Sequence, residues 1–418
     1  MISSEGFKQA YRQREADFTR SRVLSFVGLV VSQINRLSRS LSVEVSRLVE
    51  RLFGTGTDYT KQAYSQYRNK LRAEAFTALN QHLIQGYYAD GQYRTWQGFL
   101  LLASDGSTLQ LPQSQELEQA FGLAENKGRT MPMGRISLFY DVENELVLQA
   151  LLEPYKASEQ HMLLRHLDHL QALLLPGPCL LLLDRGYPSL WLLACLQQRQ
   201  QAFLMRCNAD FVDEVAVFAQ SPEQDKLLVL DLQAHQRGSN KQLQAFLQPG
   251  QTRLQVRAVK VALSGGQTEL LLTNLPDKVI TLGELYHKRW GVETALDIYK
   301  NVLEVENFSA KTELGIRQDF HAGMLTANIT ALLVNSAEAE LKPDSTNKHI
   351  YRINRSVAIG LVKEKLPDLL VGCQPIEEIC DQLRRMIKRR KQPVRNGRSF
   401  KRKRPLNYKF KINKRKVI

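Results

Sequence analysis

Between Gly98 and Asp184 the apolar residues change rhythm in a way that leaves few architectures open. Three short β-like runs follow one another: GFLLLAS from Gly98, PMGRISLFYDV from Pro132 and NELVLQALLE from Asn144, with Asn144 in a short turn between the last two. A helical segment, EQHMLLRHLDHLQALLL, comes next, then Pro176-Gly177 and a further apolar run, CLLLLD. An unbroken LLLL suits a strand covered on both faces. The β-β-β-α-β order over roughly 90 residues therefore predicts an α/β chain with a mixed sheet and helices against it.

The flanks read differently. Residues 1–92 carry helical spacing, first through Val23, Leu24, Val27, Val31, Ile34 and Leu37. A second helix is expected from the N-cap Thr60, KQAYSQYRNKLRAEAFTALNQHL, with Ala63, Tyr67, Leu71 and Leu79 on one side and Lys61, Arg68 and Arg72 elsewhere; Gly54 and Gly56 mark the turn before it. A basic helix of this kind can enter a DNA groove or simply form a solvated face. Residues 203–280 look strand-rich, in AVFAQ, KLLVLDL, TRLQVRAVKVAL and TELLLTNL, and read as a β-rich insertion. After it, Leu282 to Leu303 predicts one long helix, and 314 to about 390 is mostly helical.

Charge is unevenly placed. The chain of 418 residues has 57 Lys+Arg against 42 Asp+Glu, a net +15, and from Arg384 onward there are 17 basic residues and no acidic one. Removing those 17 from +15 leaves residues 1–383 at −2, so basicity belongs to the tail, which from Lys391 has no periodic apolar face and is expected to be extended or disordered when free. Five cysteines without a C-x-x-C pair argue against a disulfide framework or zinc ribbon and suit a reducing cytosol. No basic n-region precedes an apolar core at the N-terminus, and no apolar run approaches the roughly 18 residues of a membrane span, so a cytoplasmic, membrane-free protein is expected.

Two aspartates stand where strands are expected to end: Asp105 after GFLLLAS and Asp184 after CLLLL. Ligands commonly bind at strand ends, although Asp-Gly and Asp-Arg-Gly are also ordinary turn chemistry. On the expected helix, Tyr286, Arg289, Glu293 and Lys300 stand at offsets that fall within an arc of roughly 60°, beside an apolar stripe of Leu285, Val292, Leu296 and Leu303. Such a row can be a solvated face, with Arg289 and Glu293 as an i,i+4 pair. Three carboxylates brought together would instead repel unless a cation neutralised them, and all-oxygen ligation favours Mg²⁺ or Mn²⁺. Asp297, one turn beyond Glu293, is a rival third carboxylate. His161, His166 and His169 are expected on a helix surface, with spacings that do not suit a metal site.

The spacing Tyr286-x2-Arg289-x3-Glu293-x6-Lys300 resembles the YREK signature of bacterial DDE transposases of the insertion-sequence-four family. DGST at Asp105, DRGY at Asp184, TNL before the signature helix and YRINR at Tyr351 also look like family segments, so the likeness runs from about Thr60 to the tail. It implies an RNase H-like catalytic domain interrupted by a β-rich insertion, with helical N-terminal and C-terminal regions. On that reading 1–92 is a helical DNA-binding region, 93–202 and 281–330 the two parts of the catalytic domain, 203–280 the insertion, 331–390 a helical C-terminal region and 391–418 a basic tail.

The resemblance further implies Asp105, Asp184 and Glu293 as ligands of two Mg²⁺ (or Mn²⁺) ions, with Tyr286, Arg289 and Lys300 on phosphates near the cleaved bond. Its partners would be double-stranded transposon ends and target DNA, met by a homodimer in cut-and-paste transposition within a bacterial cytoplasm, at the nucleoid. Lys61, Arg68 and Arg72 are the candidate DNA contacts of the N-terminal helices. Members that excise through a DNA hairpin hold a flipped base on an aromatic side chain of the insertion, often Trp. Here Trp96, Trp191 and Trp290 all lie outside it, leaving Phe203, Phe211, Phe218 and Phe246. The competing reading is a DNA-binding protein, derived from a transposase, that occupies element ends without cutting.

Overall fold

The computed structural model describes residues 1–20, 23–36, 40–54, 59–126, 128–232, 241–262, 266–341, 351–372 and 374–393. Leu37, Gly56, Cys373 and the basic tail beyond Pro393 lie outside these. The chain opens with five helices, α1 (Glu5–Tyr11), α2 (Phe26–Ile34), α3 (Leu41–Phe53), α4 (Lys61–Arg68) and α5 (Glu74–Ala89). Ser25 and Thr60 cap α2 and α4 by accepting from the N–H three residues on. The single long helix expected from Thr60 is two: the chain turns after Arg68, where Leu71 bridges to Arg12, and Tyr67, Leu71 and Leu79 are buried as expected. Val23, expected on the apolar row, precedes α2 and is exposed.

The next stretch is β1 (Leu100–Gln110), α6 (Gln115–Phe121), β2 (Leu123–Asn126), β3 (Arg129–Asp141), β4 (Leu146–Pro154), α7 (Glu159–Leu173), β5 (Cys179–Leu183), α8 (Leu190–Gln198) and β6 (Ala202–Cys207). It continues through α9 (Asp213–Gln220), β7 (Asp225–Asp231), α10 (Lys241–Gln244), β8 (Arg253–Ala262) and β9 (Thr268–Thr273) to α11 (Val279–His287) and α12 (Trp290–Asn301). The last elements are α13 (Glu313–Ala339), β10 (Tyr351–Ile353), α14 (Arg355–Val371), α15 (Ile376–Lys388) and β11 (Lys391–Pro393).

Among the described residues nine strands form one mixed sheet in the order β2-β3-β1-β5-β6-β9-β8-β7, with β4 also paired to β3. β3 runs antiparallel to β1 and β4, while β5 and β6 run parallel to β1. Leu180, Leu181, Leu182 and Leu183 of the LLLL run are completely buried, alternately in the cores on the two faces of the sheet. Each such leucine contributes roughly 1.5–3 kcal/mol of apolar burial, which fixes β5 at the centre.

Three expectations need correction. The sequence from 203 to 280 does not begin a separate β unit: β6 is a parallel partner of β5 inside the main sheet, and β9, β8 and β7 extend that sheet antiparallel. AVFAQ is not a strand but the end of α9, whose first turn holds Asp213 and Glu214, carboxylates that favour a helix N-terminus. The helix expected over 282–303 is broken at Lys288-Arg289 into α11 and α12.

A third core joins the two ends of the chain. Leu24, Leu29 and Phe76 pack in one cluster with Leu325 and Val334 of α13 and Val362 and Leu383 of α14 and α15. The first residues of the basic tail are not free: Lys391–Pro393 pairs antiparallel with Tyr351–Ile353 of the YRINR segment, Ile353 opposite Lys391. No described helix is long and apolar enough to cross a membrane.

Candidate active site

The two aspartates meet through strand register. β1 and β5 run parallel with Ser104 opposite Leu183, so the next residues, Asp105 and Asp184, lie at neighbouring positions where that pairing stops. Asp184 ends its strand as expected. Asp105 does not, because β1 continues to Gln110 against β3, with Asp105 opposite Leu138. A strand that loses one neighbour while keeping the other leaves unpaired backbone groups and open space on the vacated edge. The segment after Asp184 is held by Tyr187, a fully buried side chain hydrogen-bonded to Ser104 Oγ at 3.1 Å. Thr273 and Asn274 of the TNL segment tie β9 to β6, donating to Phe203 O and accepting from Phe203 N.

The helical break brings the third group. Tyr286 closes α11 with its hydroxyl 3.4 Å from Asp184 Oδ1. Arg289, in the turn and only 3% exposed, lies with Nη2 2.5 Å from Glu293 Oε1 and 3.9 Å from Asp184 Oδ1, its guanidinium 5.6 Å from the centre of the Tyr286 ring. It thus stands between two carboxylates. Lys300, two turns beyond Glu293, donates to Ser107 Oγ at 3.0 Å and Thr108 O at 2.6 Å, fastening α12 to the second half of β1. Asp297 is exposed and accepts from Asn301 Nδ2 at 2.7 Å, away from this row.

The cluster is electrostatically incomplete. Burial pushes the Asp105 carboxyl up to about 7, and the nearby Arg289 and the Gly106 N–H only partly counter it, while Glu293 and Glu159 push the same way as burial. Arg289 Nε and Nη1 are buried without a hydrogen-bond partner among the described residues. Two buried donors and an unmet carboxylate in one place are costly unless something else completes them.

Sequence reasoning overlooked Glu159. It begins α7, ion-paired to Arg135 at 2.7 Å, and its side chain fills the space beside Gly106, where a Cβ would come within 2.4 Å of it. The signal was Ser158, which caps α7 and sets the following carboxylate at a helix N-terminus.

Several expected contacts lie elsewhere. Lys61 is exposed at the start of α4, and Arg72, expected on the same helix, is exposed in the link between α4 and α5. Arg68 is not available to a phosphate: it is 2% exposed and bonded to Gln318, Ser309, Gly315 O and Asp319. His166 is not on a surface either; it is fully buried between Ser137 Oγ and Gln149 Oε1, parallel to Phe139, and burial lowers its pKa to about 3. Of the four phenylalanines, Phe203 and Phe218 are core residues, while Phe211 and Phe246 are partly buried, Phe246 stacked on Trp191.

The residue types suit a hard divalent ion, since every candidate ligand is a carboxylate and Asp105 lacks full compensation. Among the described residues, however, no three acidic, histidine or cysteine side chains are already gathered around one point, and Arg289 fills the place between Asp184 and Glu293.

No curated protein matches this chain. Among solved structures, a piggyBac transposase synaptic complex with hairpin DNA is similar at a TM-score of 0.45 and 10% identity over 90% of this chain and 79% of that one, too distant to bear on the site. The model of the transposase DDE domain family matches residues 96–329, which include all three carboxylates and the broken helix. With more than half of its length matched, the chain belongs to the transposase DDE domain family.

Proposed function

We propose that this transposase performs metal-dependent cut-and-paste transposition of a bacterial insertion sequence, nicking element ends and joining the freed 3′-OH to target DNA. The observation that carries this reading is the register that sets Asp105 beside Asp184 and the helical break that lays Arg289 between Asp184 and Glu293. The strand order β4-β3-β1-β5-β6, with β3 alone reversed, supports an RNase H-like core. The YREK spacing supports placement in the insertion-sequence-four family.

Asp105, Asp184 and Glu293 would hold the Mg²⁺ or Mn²⁺ ions. When bound, such ions would supply activation of the attacking hydroxyl and stabilisation of the leaving oxygen. The chain's own groups do the rest. Arg289 offers its unpartnered Nε or Nη1 hydrogens to a phosphate, Lys300 adds a point charge, and Tyr286 donates one hydrogen bond from the Asp184 side. Asp105, whose carboxyl burial pushes up to about 7, would have to be deprotonated to serve as a ligand. Lys61 and Arg72, with the basic tail, would bind duplex backbone, and a homodimer would hold two ends.

The test is strand nicking on the DNA that flanks the gene. Asp105→Ala, Asp184→Ala and Glu293→Ala should each abolish Mg²⁺-dependent nicking and leave DNA binding largely intact, whereas Asp297→Ala should still cut. If Asp297→Ala were dead and Glu293→Ala active, the third ligand would be misassigned. Binding to the ends without nicking by the unaltered protein would favour the non-cutting alternative.

A further inference from the structure

The YRINR segment takes no part in the chemistry above, yet Arg352 and Arg355 reach a cavity of about 200 Å³ on the face of α12 opposite Glu293. Its walls are largely apolar, with Ala295 and Ile298 from α12, Ala327 and Ala331 from α13, and Val142 from the turn after β3. Two phenols also line it. Tyr140 and Tyr299 are 4% and 8% exposed, and neither hydroxyl has a hydrogen-bond partner among the described residues. Burial holds both above the ordinary phenol range, so they are neutral donors. Arg355 is ion-paired with Glu145, whereas the exposed Arg352 has no ion pair among the described residues.

We propose that this cavity binds one nucleotide, its planar base between the apolar walls with a polar edge on Tyr140 and Tyr299, and its phosphate on Arg352. The volume exceeds the roughly 150 Å³ that holds a benzene ring, so a pyrimidine enters without repacking. Phenol donors that face the cavity without an acceptor among the described residues are open to a ligand, and the carbonyl edge of a base supplies acceptors. A guanidinium fork at the opening matches a phosphate better than a neutral tail. Choosing a nucleotide over another planar anion rests on the transposase reading; the site itself does not. The nucleotide can be free or an unpaired residue of a DNA strand.

The experiment is calorimetric titration of the full chain with thymidine 5′-monophosphate, thymidine and inorganic phosphate. The nucleotide should bind at least about 10-fold more tightly than either fragment. Arg352→Ala should weaken the nucleotide about 10-fold and leave thymidine unchanged, and Tyr299→Phe should weaken both about 3- to 10-fold. Since the Tyr299 hydroxyl has no hydrogen-bond partner among the described residues, that variant should keep its melting temperature, separating lost binding from lost fold. Displacement of the nucleotide by a duplex with one bulged thymidine, but not by the perfect duplex, would identify DNA as its source; no displacement by either would identify the free nucleotide. No binding of thymidine monophosphate, inorganic phosphate binding as tightly, or affinity unchanged in both variants would overturn the proposal. Nucleotide binding by a protein that fails the nicking test would keep the cavity and reject the transposition reading, and the reverse result would do the opposite.

Discussion

Asp319, fully buried, and Asp105, partly buried, both lie near arginines, but their surroundings are finished to different degrees. Asp319 receives Arg36 at 2.7 Å, Arg68 at 2.9 Å, and both the N–H and the hydroxyl of Ser309. Burial alone would raise its pKa, yet the two arginines and Ser309 hold it below the ordinary carboxylate value. Asp105 has one backbone N–H from its own neighbour and a distant share of Arg289, and rises to about 7. The first cluster ties α4 to α13 and is complete within the protein. The second leaves a carboxylate and two guanidinium nitrogens for something outside it, which is what a site for cations and phosphates requires.

The largest expected effect comes from breaking the complete cluster. Asp319→Ala strands the buried Arg68 and the partly buried Arg36 and should cost about 3–5 kcal/mol in denaturant unfolding. Because the folded pKa of Asp319 is lowered, its contribution is full above the ordinary carboxylate range and is lost as the pH falls through the folded value, so the cost should shrink in acid. A cost below about 1 kcal/mol at neutral pH would remove the distinction between the clusters.

Asp105→Asn should go the other way. A raised pKa means that the folded protein holds an extra proton between the ordinary value and about 7, so stability falls as pH rises through that window. In chelator at pH 8 the asparagine variant should be more stable than the parent by about 1–2 kcal/mol, after allowance for partial exposure, with the gap closing toward pH 4. An Asp105→Asn protein that melts earlier at pH 8 would show the carboxylate to be structurally compensated after all.

Arg289→Ala and Lys300→Ala should slow cleavage of bound DNA by roughly 10- to 100-fold, with smaller changes in folding, and Tyr286→Phe should be milder because it removes one hydrogen bond. Unchanged cleavage would return the row to a merely structural role. The smallest effect belongs to residues 394–418, whose 11 basic residues should steepen the salt dependence of random-duplex binding by about 0.9 for each phosphate they neutralise. Truncation after Pro393 keeps β11; equal slopes with and without the tail would place it off the DNA.

Local pattern made much of this molecule legible. The strands β1, β3, β4 and β5, the helix α7 and the burial of LLLL follow from apolar rhythm, although α6 and β2 between β1 and β3 do not, and Thr60 caps its helix as the sequence indicates. What failed needed partners distant in sequence. The DGST segment reads as a turn, yet pairing with β3 carries the strand five residues past Asp105. Arg68 reads as one more basic surface residue because Asp319, which buries it, is 251 residues away. The one-face geometry of Tyr286, Arg289, Glu293 and Lys300 assumed an unbroken helix. The break at Lys288-Arg289 changes how they meet: Tyr286 faces Asp184, Arg289 spans two carboxylates, and Lys300 anchors β1.

Whether Asp105, Asp184 and Glu293 together hold a cation is decided by melting the protein with and without Mn²⁺ at pH 8. A ligand that binds only the folded state stabilises by about 2.7 kcal/mol at 100 times its dissociation constant, so the unaltered protein and Asp297→Ala should melt several degrees higher with the ion. Asp105→Asn, Asp184→Asn and Glu293→Gln should lose that shift. Equal shifts in all five proteins, or none in the parent, would contradict the assignment.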